Sequence, residues 1–252
     1  MKALVLCAGY ATRLYPLTKD RPKHLLPIAD KPMLEYVIAK LEDIKEINEI
    51  FIITNSRFFP QFQEWNKKLK LKRNVKIIDD GTTSDETKLG AIGDVKFVIE
   101  KEHIGDDLLV LAGDNLFQLN LVEFIRFFKK NGISIAVYDV KSKDLVSKYS
   151  EVKLDDEKRV ISFIEKPSQP ETTLAAICMY LFPKEKLNLI NKYIEKGNNP
   201  DQPGRYIQWL YKRESVYGFV FSDNWYDIGD INQYNEANME YKENLNFCSH
   251  KK

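Results

Sequence analysis

Five consecutive apolar residues, Ala3–Cys7, run without polar alternation straight into a turn of small residues, Ala8, Gly9 and Ala11. A run of that kind suits a parallel strand covered by helices on both faces. In open α/β sheets ligands bind outside the carboxyl ends of such strands. The small residues let backbone N–H groups approach a guest closely, so Leu6, Ala8, Gly9, Tyr10, Ala11 and Thr12 are candidate binding positions. The loop then delivers Arg13, and a proline-stiffened passage delivers Lys23 after Pro22. Two cations above a nest of N–H groups suit a polyphosphate. Taken singly the features are weaker: the GxGxxG spacing is missing, and either cation reads equally as a solvated charge in a chain that is 30% charged.

The rhythm continues. Leu34, Val37, Ile38, Leu41 and Ile44 fall at helical spacing and predict a helix over Met33–Lys45. Strands are predicted at Glu49–Thr54, Val75–Asp79 and Leu108–Ala112, with a helix along Phe58, Phe62, Trp65 and Leu69 and another over Leu89–Lys101. That aromatic stripe reads as core or as a subunit contact. Strand and helix in alternation predict an α/β, doubly wound sheet. Beyond a helix at Leu121–Lys130 and a strand at Ile133–Val140, the strands Glu151–Asp155 and Arg159–Glu165 alternate, which predicts a small antiparallel second lobe. A buried strand at Leu174–Phe182, a helix on Leu187, Ile190 and Ile194, a short helix at Tyr206–Tyr211, a strand at Val216–Phe221 and a closing helix at Ile231–Asn246 complete the reading.

Composition removes several classes. Lys plus Arg total 38 against 37 Asp plus Glu, a net charge of +1, so no global field favours nucleic acid or an anionic membrane. The longest apolar run, Leu174–Phe182, is far short of a membrane span, and the apolar start is too short for a signal peptide. Cys7, Cys178 and Cys248 are widely spaced without a CxxC or His cluster, and read as reduced thiols of a cytoplasmic protein. The 252 residues read as one domain, 1–118 and 119–252 being its two halves, with a frayed tail at His250–Lys252.

Taken jointly, AGYATRLYPLT, RPKHLLPI and KPML, followed by LAGDN (111–115), EKP (165–167) and WYDIGD (225–230), resemble the sugar-phosphate nucleotidylyltransferases, or sugar-nucleotide pyrophosphorylases. The similarity is greatest to the short glucose-1-phosphate thymidylyl/uridylyltransferase type and covers nearly the whole chain. It implies a Rossmann-like, GT-A-like mixed sheet with a nucleotide-binding half and a sugar-phosphate-binding half. It implies an enzyme that joins a nucleoside triphosphate to a sugar 1-phosphate, by default glucose 1-phosphate with dTTP or UTP, and releases pyrophosphate.

The resemblance also implies roles. Arg13 and Lys23 are catalytic, and the glycine loop with Gly81, Thr82, Gly90 and Asp114 holds the nucleotide. Asp114 and Asp227 bind Mg²⁺. Lys166 reaches the sugar phosphate, Glu165 the sugar hydroxyls, and Tyr149 and Cys178 line the sugar side. Read alone, Asp114 is equally a cap, Glu165–Lys166 a surface ion pair and Asp227 part of a turn. The phosphate nucleophile is already ionised, so none of His24, His103 and His250 is needed as a base.

The pattern departs at four places. Ala11 replaces a loop glycine, and Asp80–Gly90 (DGTTSDETKLG) lacks the Gln and Pro of the usual base loop. Ser150 stands where a Tyr-Gly pair is usual, and Cys178 where a Gly precedes Ile-Tyr. These leave room for mannose-1-phosphate guanylyl transfer, or for cytidylyl transfer to a non-sugar phosphate such as phosphocholine. A glycosyltransferase that consumes nucleotide-sugars, or a non-catalytic relative, are readings of other classes. The length leaves no room for an appended acyltransferase or β-helix domain, and the aromatics leave a homo-oligomer open.

Overall fold

Ala3, Leu4 and Val5 are fully buried, and they point to opposite layers. In the computed structural model, which describes the backbone of residues 1–249 and the side chains of 1–243, they form the middle of β1 (Lys2–Leu6). The expected frayed tail at 250–252 and the Cys248 thiol lie outside the described residues. A small hairpin, β2 (Pro27–Ile28) and β3 (Lys31–Pro32), precedes α1 (Met33–Glu42). Then come β4 (Glu49–Thr54), α2 (Phe59–Lys68), β5 (Val75–Asp79), α3 (Ala91–Lys101) and β6 (Leu108–Ala112). β1 pairs in parallel with β4 on one side and β6 on the other, while β5 lies outside β4. The strand order therefore reverses beside β1, which opens a crevice at its carboxyl end.

The alternation of β1 sorts the helices. Ala3 and Val5 pack with α1 and α2 and with α4 (Leu121–Asn131), whereas Leu4 packs with α3 and with α6 (Asn188–Glu195) and α7 (Pro203–Leu210). Phe58, Phe62 and Trp65 are buried in the first layer, so the aromatic stripe is core. α4 starts where Asn120 accepts hydrogen bonds from the N–H groups of Val122 and Glu123, and stops at Gly132 with φ 83°.

The second half adds β7 (Asn115–Phe117), β8 (Ser134–Asp139), α5 (Lys143–Val146), β9 (Ser150–Leu154), β10 (Val160–Glu165), β11 (Leu174–Phe182), β12 (Tyr217–Phe221), β13 (Trp225–Asp227) and α8 (Ile231–Ser249). The expected antiparallel lobe is continuous with the main sheet. β11 is long enough to pair with β6 through Met179–Phe182 and with β9 through Ala175 and Ala176 on the same edge, while β8 runs along the other. The sheet thus forks at Ile177 and Cys178. No helix among the described residues is long and apolar enough to cross a membrane.

Several boundaries differ from the periodicity, for local reasons. α3 begins at Ala91 because Gly90 has φ 79° and lies against the backbone of Pro200 and Asp201, where a Cβ would come within 2.7 Å of Asp201 Cα. α7 begins at Pro203, whose ring suits the first turn. β7 and β13 were not expected as strands; they pair antiparallel, Asp227 opposite Asn115. A third core cluster, containing Leu14, Leu26, Ile28, Leu116, Ile228 and Ala237, fastens α8 to the β2–β3 hairpin.

Gly113 sits at the end of β6, where a Cβ would lie 2.4 Å from Cys7 Sγ and 3.1 Å from both Val5 Cγ1 and His24 Cδ2. Gly113→Ala therefore overpacks the junction and is expected to lower the unfolding free energy by about 1–3 kcal/mol, read by urea denaturation. An unchanged midpoint would show that the three neighbours relax freely.

Candidate active site

The glycine loop is anchored at both ends. Cys7 N–H donates to Ile53 O at 2.9 Å, and the fully buried Asn55 donates from Nδ2 to Ala8 O at 2.8 Å. Ala11 is left-handed, with φ 50° and ψ 42°, a conformation that costs an L-residue roughly 1–2 kcal/mol. Its carbonyl accepts hydrogen bonds from Leu14 N–H at 3.1 Å and Thr18 Oγ1 at 2.8 Å. The turn this closes, Thr12–Leu14, aims Arg13 back over the strand ends. Asn55 gave no signal in the sequence beyond its position just after a strand.

Lys23 begins a short turn after Pro22 and is nearly buried. Its Nζ donates to the Asp114 carboxylate and, at 2.9 Å, to Ile228 O. Asp114 follows Gly113 and leads into β7, and Asp227 ends β13, so the pairing of those strands brings together residues far apart in the chain. Asn115 bridges the carboxylates: its Nδ2 donates to Asp114 Oδ1 at 2.9 Å and to Asp227 Oδ1 at 3.2 Å. Trp225 Nε1 donates to Asn115 Oδ1 at 2.8 Å, which fixes the amide's orientation. Asn115 is thus a site residue that its place beside Asp114 suggested only as a cap partner.

The charges explain the titration. Burial would raise the Asp114 carboxyl, but the Lys23 charge and the hydrogen bonds from Lys23 and Asn115 act together against it and the net direction is down. Asp227 is pushed up to about 6, by burial first and the Asp114 charge second. His24 is driven down to about 3 by burial and by Lys23, so it is neutral at physiological pH, and its Nδ1 has no partner. Two adjacent carboxylates that repel each other fit one hard divalent cation. Among the described residues no cluster of three or more Cys, His, Asp and Glu side chains is present, so the remaining ligands of such an ion would be substrate or water oxygens.

A cavity of about 450 Å³ opens over these groups. Leu6, Ala8, Gly9, Tyr10, Ala11, Thr12, Arg13, Lys23, Gly90, Asp114, Cys178 and Asp227 all line it. Gly81 and Thr82 do not. Gly81 is exposed, and Thr82 is buried against Tyr10, whose hydroxyl lies 3.3 Å from its Oγ1. A second cavity of about 130 Å³ is lined by Tyr149, Ser150, Glu165, Trp225 and Lys148, and shares Asn115, Cys178, Pro203 and Asp227 with the first. Lys166 is exposed, with φ 47° and its N–H on Tyr149 O, and does not line the second cavity; Lys148 does. The Ser150 hydroxyl donates to Glu165, and Gly204 lies so close that a Cβ would collide with that carboxylate.

The chain matches the family model described as Nucleotidyl transferase over residues 2–244. It is 31% identical over 251 residues to a protein named bifunctional protein GlmU from Methanocaldococcus jannaschii, covering 98% of this chain and 55% of that protein. It is 28% identical to a UTP–glucose-1-phosphate uridylyltransferase from Synechocystis, covering 94% of this chain and 62% of the relative. The chain thus spans little more than half the length of these curated relatives. A solved UDP-glucose pyrophosphorylase complexed with UDP-glucose superposes with a TM-score of 0.79 at 22% identity, over 96% of this chain and 98% of its own, and shares the mixed sheet.

One buried carboxyl sets a pH dependence. Asp94 is raised from 3.8 to about 8, by burial first and by Asp80 and Asp201 after it. A raised carboxyl costs the folded state nothing below its unfolded value, and the cost grows as pH rises until the folded group ionises. Wild-type protein is therefore expected to lose stability between about pH 4 and 8 relative to Asp94→Asn, measured by urea denaturation across that range. Parallel profiles would contradict this.

Proposed function

The chain belongs to the nucleotidyl transferase family, and on that premise we propose that it joins a nucleoside triphosphate to a sugar 1-phosphate, releasing pyrophosphate. The observation that carries the reading is the pair of adjoining cavities, which share Asn115, Cys178, Pro203 and Asp227. One has Arg13, Lys23 and a backbone nest, with Lys88 on its far wall, the other has hydroxyl and carboxylate groups, and Asp227 belongs to both.

Two polyanions must meet, so the protein's task is to cancel repulsion and to hold an in-line geometry. The sugar phosphate is already a nucleophile. No protein base is required, and a neutral, enclosed His24 agrees with that. We assign Gly9 and its neighbours to the triphosphate and Arg13 to the leaving pyrophosphate. Lys23 has three N–H donors, two of which are held by Asp114 and Ile228 O. The third is free for an α-phosphate oxygen as charge builds there. Asp114 and Asp227 would hold Mg²⁺, which when bound supplies charge neutralisation to the phosphate oxygens. Tyr149, Glu165 and Cys178 face the acceptor, and Lys148 joins Lys166 as a candidate for the acceptor's phosphate.

The test is a matrix of nucleoside triphosphates against sugar 1-phosphates with Mg²⁺, read by pyrophosphate release. Release that depends on one acceptor is expected, whereas release indifferent to acceptor would replace transfer with hydrolysis. Arg13→Ala and Lys23→Met are expected to lower turnover by about 10²-fold or more, with folding verified by circular dichroism. Full turnover in either folded variant removes the role given to that cation.

A further inference from the structure

The wall of the larger cavity opposite the glycine loop carries one carboxyl without a partner. Asp94 stands one turn into α3, is 5% exposed, and lines the cavity beyond Gly90 and Ala91. Its Oδ1 has no hydrogen-bond partner. No described Lys or Arg pairs with it, and the cation on that wall, Lys88, is held at 3.3 Å by both Asp85 and Asp201. A buried, unsatisfied carboxyl is costly, and an apolar side chain would fill the same space at lower cost. That oxygen is sealed from the cavity; the carboxyl's other oxygen has no hydrogen bond within the chain either, and it is the one a ligand in the cavity would complete.

Its position says which part of a nucleotide that is. Asp94 lies past the helix start at Gly90 and shares the crevice with Leu6 and Ala112, the paired last residues of β1 and β6. On one side of it is Asp80, whose Oδ1 holds Thr82 N–H. The Lys23–Asp114 pair lines the same cavity, and the buried Cys7 thiol is near enough to feel Asp114, Lys23 and Asp94 together. Lys23, Arg13, Asp94, Asp85 and Lys88 line one cavity, so a nucleotide with its phosphates on the first two cations and its base toward Asp85 and Lys88 puts its pentose along the wall between them.

Resting on the transfer reading above, we propose that Asp94 hydrogen-bonds a hydroxyl of the nucleotide's ribose and selects ribonucleoside over deoxyribonucleoside triphosphates. A hydroxyl both donates and accepts, so it satisfies the carboxyl in either protonation state, which a base edge with fixed donors does not. An acidic side chain on the ribose is also the general solution at the strand ends of dinucleotide-binding sheets. Among uridine and thymidine substrates, this choice favours UTP over dTTP.

The experiment is calorimetric binding, with Mg²⁺ and no acceptor, of ATP, GTP, CTP and UTP and of the 2′-deoxy and 3′-deoxy forms of whichever binds most tightly. Wild-type protein is expected to lose about tenfold or more in affinity when one hydroxyl is removed, the scale of a hydrogen bond to a charged or buried group. Asp94→Ala is expected to bind parent and deoxy forms alike, and Asp94→Asn to keep part of the difference. Equal binding of parent and both deoxy forms by wild type overturns the proposal, as does a penalty that survives in Asp94→Ala. A variant that instead changes the ranking of bases moves Asp94 to the base and also overturns it. If no triphosphate binds either protein, the transfer reading itself fails, a result distinct from triphosphate binding without ribose selection.

Discussion

Two carboxylates and one ammonium group in one crevice govern this molecule. Asp114 and Asp227 repel each other, and each is costly to bury alone; Lys23 and the Asn115 amide make the arrangement tolerable. Breaking such a group by removing one member typically costs several kcal/mol. The surrounding structure is arranged to keep it whole. α8 holds the β2–β3 hairpin through Asn238 on Ala29 N–H and Tyr234 on Pro27 O, so the closing helix fixes the segment that follows Lys23. Trp225 orients Asn115.

The fork in the sheet turns this charge cluster into a junction. β11 leaves β6 and joins β9, and the gap holds Cys178, which both cavities share. A guest on the parallel side meets cations and backbone N–H groups. A guest on the antiparallel side meets Glu165, Ser150 and the aromatic faces of Tyr149 and Trp225, whose ring centroids are 5.0 Å apart. Asn115 and Asp227 line both sides of that junction, with Lys23 on the parallel side.

The α/β order, the doubly covered first strand, the glycine loop and the aromatic stripe, read as core or subunit contact, were all legible in the sequence. They are local: apolar runs, helical spacing and small residues act through near neighbours in the chain. The loop candidates, Arg13, Lys23, Asp114 and Asp227 all line one cavity. Gly81, which is exposed, and Thr82, which packs against Tyr10, do not line it, and Lys148 lines the second cavity that Lys166 does not. Which residue's side chain fills a space first depends on packing, and a linear pattern carries no record of it.

By itself, then, the chain determined which segments become strands and helices and which residue types could meet phosphate, since these follow from hydrophobic period and charge. Only the tertiary structure decided that Asp114 and Asp227 share one amide, that two unexpected three-residue strands bring them there, and that Asp94 lines the cavity wall with one oxygen sealed and unpartnered. The physical reason is range. Pairing across more than a hundred residues, and the burial that leaves a carboxyl unsatisfied, are set by which distant surfaces close on each other, and such closure is a property of the whole sheet.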